Sequence, residues 1–153
     1  MDTKTLLFIA HAPSPNTVSL RDAVRHAVET ETGLRLIIRS PFEADAEDAL
    51  AADAVLIGTT ENIGYMAGAT KDFFDRSYNT LLEVSAGKPA AIYIRAGLDG
   101  TGSRRALEGI MTGLRWRLVA PILILHGNWQ NQYPDEAAAL GLGLAAGLEI
   151  GAF

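Results

Sequence analysis

Short unbroken apolar runs alternate along this chain with longer stretches in which apolar side chains recur every three or four residues. The short runs suit strands covered on both faces, and the longer spacing suits helices that bury one stripe. Thr5 to Ala10 predicts a first strand, and a helix follows from near Thr17 with Leu20, Val24 and Val28 on one face. Leu34 to Arg39 predicts a second strand, after a stop at Gly33 and closed by Ser40-Pro41. Glu43 to Ala52 reads as a short, acidic, exposed helix. Ala54 to Ile57 predicts a third strand that ends at Gly58, and Thr59 to Met66 reads as a polar loop. From Ala67 the spacing is helical, with Phe73, Phe74 and Leu81 among charged residues, as far as Asn79 to Val84 and a turn at Gly87. Pro89 to Arg95 predicts a fourth strand, Arg104 to Leu114 a helix, Pro121 to Leu125 a fifth strand, and Pro134 to Ile150 a last helix.

Strands and helices in strict alternation imply a parallel sheet with right-handed crossovers. In such sheets ligands bind at the carboxyl ends of the strands, so the loops there carry the candidate chemistry. The first is His11-Ala12-Pro13-Ser14-Pro15-Asn16-Thr17. A polar turn between a strand and a helix can hold a phosphate, because free N–H groups and the helix dipole both point at it. Pro13 and Pro15 have no N–H, so the donors would be the amides of Ser14, Asn16 and Thr17 and the side-chain hydroxyls. No Lys or Arg stands between Lys4 and Arg21, which argues against a nucleotide loop of the kind that needs its lysine. The plainer reading is a capped turn with Thr17 as N-cap. The second loop, Thr59 to Met66, is uncharged except for Glu61 and contains Gly64. The third, Ala96 to Ser103, has Gly97, Gly100 and Gly102, residues that let a backbone press against a ligand.

The stretch Gly58-Thr59-Thr60-Glu61, then Gly64, then Lys71-Asp72-Phe73-Phe74-Asp75-Arg76 resembles the second flavin-binding loop of flavodoxin-like flavoproteins, above all the NAD(P)H-dependent FMN and quinone reductases. Thr60 stands where the family has proline, and Ile63 or Tyr65 must serve for its aromatic. The first loop is similar to the family's T-x-T-G-x-T turn through Ser14, Asn16 and Thr17, with Ala12 and Pro15 as departures. The resemblance implies a flavodoxin-like three-layer sandwich around a five-stranded parallel sheet of order 2-1-3-4-5, with residues 1–153 as one FMN-binding domain. It also implies the site. His11, Ser14, Asn16 and Thr17 would lie at the FMN phosphate. Thr60, Glu61, Asn62, Ile63, Gly64, Tyr65 and Met66 would lie along the isoalloxazine. Gly97, Asp99, Gly100 and Thr101 would face its pyrimidine edge. A response-regulator domain shares the topology but needs paired acids after the first strand, where this chain has Ala10-His11-Ala12.

The bulk numbers narrow the classes further. A chain of 153 residues fits one domain. A net charge of −5 with no basic cluster longer than Arg104-Arg105 leaves no footprint for nucleic acid. The absence of cysteine excludes disulfides and thiolate chemistry. MDTKTLLFIAHAPSP makes a poor signal peptide, since its apolar run of about six residues is short of the usual h-region. The Ala- and Leu-rich run near the C-terminus is too short to span a membrane. The expected location is cytoplasmic, without membrane insertion. His11 and His126 both follow apolar runs and could meet above the sheet, but without a third ligand they make no metal site. Arg104 and Arg105 read as surface residues or as contacts to an anion. Trp129 reads as a core or interface residue, or as a wall of the flavin site. Gly143, Gly147 and Gly151, four residues apart, suggest close packing of the last helix on the sheet or against another copy in a homodimer or homotetramer.

The function implied is an FMN-dependent oxidoreductase that takes hydride from NAD(P)H and passes electrons to a quinone or other small acceptor. The cofactor carries that chemistry, so no catalytic residue is required. A flavodoxin-type electron carrier is the alternative. Such carriers enclose the ring between aromatics, and residues 96–103 contain none. A flavodoxin-like module that has lost FMN is the third reading, kept open by Ala12 and Pro15.

Overall fold

The computed structural model describes residues 3–153; Met1 and Asp2, the start of the stretch read as a poor signal peptide, lie outside the described residues. The elements in order are β1 (Thr5–Ala10), α1 (Pro15–Glu31), β2 (Arg35–Arg39), α2 (Ala46–Ala51), β3 (Ala54–Asn62), β4 (Tyr65–Met66), α3 (Gly68–Leu81), β5 (Pro89–Ala96), α4 (Thr101–Leu114), β6 (Arg117–Leu118), β7 (Leu123–His126) and α5 (Tyr133–Glu149). The sheet runs β2-β1-β3-β5, with β6 and β7 both on the outer side of β5. Every ladder is parallel except that of β4, which turns back antiparallel on β3. With β6 and β7 as two halves of the fifth strand, this is the flavodoxin-like three-layer sandwich of order 2-1-3-4-5.

Alternation along the strands builds two cores. Leu7, Ile9, Val55, Ile57, Ile92 and Ile94 face α3 and α4, where they meet Phe73, Phe74, Leu107 and Met111. Leu6, Phe8, Leu56, Ala91 and Tyr93 face the other way, toward Leu20, Val24 and Val28 of α1 and Leu144 and Leu148 of α5. Both faces are covered, which is why these strands read as unbroken apolar runs.

Several boundaries differ from expectation, each for a local reason. Gly58 does not end β3. It pairs with Ala10 on one side and Tyr93 on the other, and the strand continues to Asn62. Glycine is required here because the Tyr93 ring lies across the position, 2.3 Å from where a Cβ would stand. Helix α1 starts at Pro15 with Ser14 as N-cap, so Thr17 is its third residue and not its cap. Proline suits a first helical position, where its missing N–H costs nothing. Asp45 caps α2 and shortens it to Ala46–Ala51. Helix α4 starts at Thr101, which moves Arg104 inside the helix, where it pairs with Glu108 at 3.7 Å. The fifth strand breaks: β5 advances from Ala90 to Tyr93 while its partner advances from Leu118 to Leu123, so residues 119–122 bulge out around Pro121. Proline cannot donate to a ladder and is expelled from it. On α5 the tight glycine is Gly141, whose missing Cβ would stand 2.7 Å from Val24 and 3.3 Å from Leu56. Gly143 meets nothing within 4 Å, Gly147 receives the Phe153 ring, and Gly151 lies beyond the helix at φ 75°.

Gly58→Ala should cost about 1–3 kcal/mol, because Tyr93 is held on all sides and must move. Urea denaturation measures it, and a midpoint equal to that of the parent chain would show that the Tyr93 ring is not held against Gly58.

Candidate functional site

The strands β1, β3 and β5 end on one edge of the sheet, and the chain leaves β1 toward β2 but β3 toward β5. The crevice between these departures is where open α/β sheets take ligands. Residues 11–14, the β3–β4 hairpin and residues 97–100 surround it.

The turn after β1 is a capping box. The Ser14 N–H donates to Thr17 Oγ1 at 2.9 Å, and the Thr17 N–H donates to Ser14 Oγ at 3.2 Å. The two hydroxyls lie 2.9 Å apart, and Thr17 Oγ1 also reaches the Ser14 carbonyl at 3.0 Å. If Thr17 gives its hydrogen to Ser14 Oγ, the hydroxyl hydrogen of Ser14 is free for an anion; if Thr17 gives it to the carbonyl, Ser14 spends its own on Thr17 Oγ1. Two of the three amides expected at a phosphate are thus engaged within the turn. Asn16, exposed and in the open first turn of α1, supplies the N–H left over. His11 anchors the turn by donating its N–H to Gly58 O at 2.9 Å. Its imidazole is partly buried, and desolvation lowers its pKa below 6.5, which keeps it neutral at pH 7.

The segment expected to be an open loop is a tight hairpin. Glu61 pairs with Met66 and Asn62 with Tyr65. Ile63 and Gly64 form the two-residue turn, both left-handed at φ 51° and 72°. Paired positive φ values match the twist of a hairpin but disfavour a β-branched residue. Ile63 nevertheless holds the tip, with its side chain fully exposed at 105% and Tyr65 beside it at 44%. Below the tip, Thr60 Oγ1 donates to Asn62 Oδ1 at 2.8 Å, and Thr59 and Thr70 share a buried hydroxyl hydrogen bond of 2.7 Å.

The third segment begins at Gly97, exposed and with nothing within 4 Å of where a Cβ would be. Leu98 is 76% exposed. Asp99 accepts the Thr101 N–H at 3.0 Å, and this bond lowers the pKa of its carboxyl. Gly100 takes φ 74° and has no side chain to cap α4. Gly102 lies against the hairpin turn: a Cβ there would stand 1.7 Å from Gly64 O. The Ser103 N–H points to Glu61 Oε2 at 3.4 Å, while its own buried hydroxyl has no partner.

The structure therefore brings the hairpin residues 61–66 against the start of α4 and sets Ser14, Asn16 and Thr17 on the neighbouring crevice wall. It does not bring His11 to His126, because β3 and β5 lie between their strands, an offset of about 14 Å. Trp129 stands edge-on to Tyr133 at 5.7 Å, with the Arg95 guanidinium over both rings. Arg95 also donates to Leu125 O at 3.0 Å, so this group ties β5 to β7 and α5. A cleft of about 500 Å³ lined by Arg104, Glu108 and residues 118–122 lies at the broken sheet edge, away from the three segments. Sequence reading missed the roles of Gly102 and Ser103. Their one signal was position, just past the third loop's other glycines.

The fold defined by this sheet order and these three segments is flavodoxin-like. No protein-family model matches the chain. A flavodoxin of Aquifex aeolicus (strain VF5) is 28% identical over 109 residues, covering 71% of this chain and 59% of that protein, so the match spans less than two-thirds of the curated relative. A flavodoxin from the domain Archaea superposes with a TM-score of 0.74 at 18% identity over 95% of this chain and 97% of the other. An oxidoreductase of Corynebacterium diphtheriae superposes with a TM-score of 0.66 at 19% identity over 99% of each chain. No helix among the described residues is long and apolar enough to cross a membrane.

Two outcomes follow for the ligand-free chain. The stabilising share of neutral His11 is complete above pH 6.5 and is lost as pH falls toward its lowered folded value, because the unfolded chain then binds the proton first. Stability in His11→Gln should therefore fall less steeply below pH 6.5, and parallel curves would show that His11 is not desolvated. Ile63→Asn should stabilise the chain by about 1 kcal/mol, since Asn tolerates the left-handed turn; a lower melting temperature would show the tip to be unstrained.

Proposed function

We propose that the crevice holds FMN and that the chain is an NAD(P)H-dependent oxidoreductase acting on a quinone or another small acceptor. The observation that carries this reading is the cradle at the sheet edge: the hairpin rests on the start of α4, and beside them Gly97 keeps open space where any other residue would project a side chain. When bound, FMN supplies hydride acceptance and onward electron transfer. Asn16, the Ser14 hydroxyl and the dipole of α1 suit the phosphate. The donor set fits with one revision. Thr17 supports the turn from behind, and the Thr101 amide is already taken by Asp99, so backbone N–H groups from Gly97 to Gly100 would serve the ring's polar edge.

The absence of an aromatic from residues 97–100 supports an enzyme. Leu98 covers less of a ring than a tyrosine or tryptophan and leaves room for a nicotinamide to stack. The carrier reading draws its support from the flavodoxins among the similar proteins. We place the protein in the cytoplasm as one domain.

The test is a visible spectrum after addition of FMN and desalting. Retained flavin that NADH or NADPH bleaches without oxygen is the expected result; flavin reduced by dithionite alone would favour the carrier, and no retained flavin would sink both. Gly97→Val should keep the parent's melting temperature and lose flavin, because the added side chain meets no part of the chain. Full flavin content in that variant would move the ring elsewhere.

A further inference from the structure

The ladder between β3 and β5 ends at Thr60 opposite Arg95. Past that point β3 pairs with β4 and β5 with β7, so the two strands part, yet the segments that follow them stay together. Gly64 and Gly102 touch backbone to backbone, at a spot with no room for a Cβ. Glu61, the first residue beyond the ladder, sends its carboxylate to the N–H of Ser103 at 3.4 Å. Among the described residues this is the one side-chain hydrogen bond between the hairpin and residues 97–103.

The start of α4 explains why a carboxylate belongs there. Its N-cap, Gly100, has no side chain, so the open N–H groups of the first turn need acceptors from elsewhere. Asp99 serves Thr101 from within the same loop. Glu61 serves Ser103 from another strand, and a negative charge is favoured at that end of a helix. Ser103 is fully buried and Glu61 partly so, which shields the bond from water on the donor's side.

We propose that Glu61 is a positioning residue: it completes the cap of α4 from outside and so holds the hairpin against the start of α4 as one wall of the crevice. It acts through Ser103 and does not touch the ligand. The inference rests on the FMN reading for its ligand and on the chain alone for its geometry.

Two variants of the full chain test it, Glu61→Ala and Glu61→Gln, the second keeping an oxygen for the Ser103 N–H. Without FMN, amide hydrogen exchange at Ser103 should quicken about tenfold in Glu61→Ala and stay within about threefold of the parent in Glu61→Gln. With FMN, quenching of flavin fluorescence should show affinity about tenfold weaker in Glu61→Ala and rescued to within about threefold in Glu61→Gln. Unchanged Ser103 exchange in Glu61→Ala would overturn the proposal. So would an equal loss of FMN affinity in both variants, which would mean that the carboxylate itself meets the ligand. If the parent chain takes up no FMN, the exchange result decides the positioning role alone, and the FMN reading fails separately.

Discussion

Register along β3 governs everything at the functional edge of this molecule. From Ala54 to Thr60 the strand is buried on both faces and paired on both sides, with β1 as far as Gly58 and with β5 as far as Thr60. A shift of one residue would exchange the two cores, sending Leu56 toward α3 and Ile57 toward α1. It would also turn Glu61 away from α4. The Tyr93 ring over Gly58 allows no such slip, because no other position on β3 lacks a Cβ. The crevice wall, the hairpin and the contact with α4 are therefore consequences of one strand held in one register.

Much of this could be read from the chain because burial writes itself into apolar periodicity. Leu20, Val24 and Val28 announced a helix face, and Thr5 to Ala10 a strand, since each is set by its own neighbours. What could not be read depends on partners distant in sequence. Gly58 looks like a stop until Tyr93 is known to lie across it. Gly143 looks as tightly packed as Gly141 until Val24 and Leu56 are placed. The hairpin hid because Ile63 is a poor turn residue, so Thr59 to Met66 carried loop chemistry without a recognisable turn signal. Of the site, Ser14, Asn16 and Thr17 were legible as a polar turn, but their hydrogen bonds to one another were not, since a hydroxyl that caps a helix and one that holds an anion have the same sequence signature.

Three irregularities of the chain stand at this same edge. Ile63 takes a left-handed conformation with its side chain in water, Ser103 buries a hydroxyl with no partner, and His11 is kept neutral by desolvation. Each departs from what packing alone would select. Local conflict of this kind means that packing is not the sole constraint on these positions. The opposite edge of the sheet has irregularities of a structural kind: Glu83 and Arg115 are left-handed after the ends of α3 and α4, and a desolvated Lys88 caps the Ala52 carbonyl, while Asp53 accepts the Thr5 N–H at 2.8 Å.

The break in the fifth strand also decides how the molecule meets its neighbours in a crowded solution. An intact outer strand would present a row of free N–H and C=O groups, a template on which another chain could add a strand. Here residues 119–122 leave the ladder between β6 and β7, so that side has no continuous template. On the far side β2 is short and bounded by the exposed cations Arg35 and Arg39, which repel a copy approaching edge to edge. With neither margin open to growth, the sheet is guarded against fibrous aggregation, and any assembly of this chain is left to its helical faces and to the loops above the crevice.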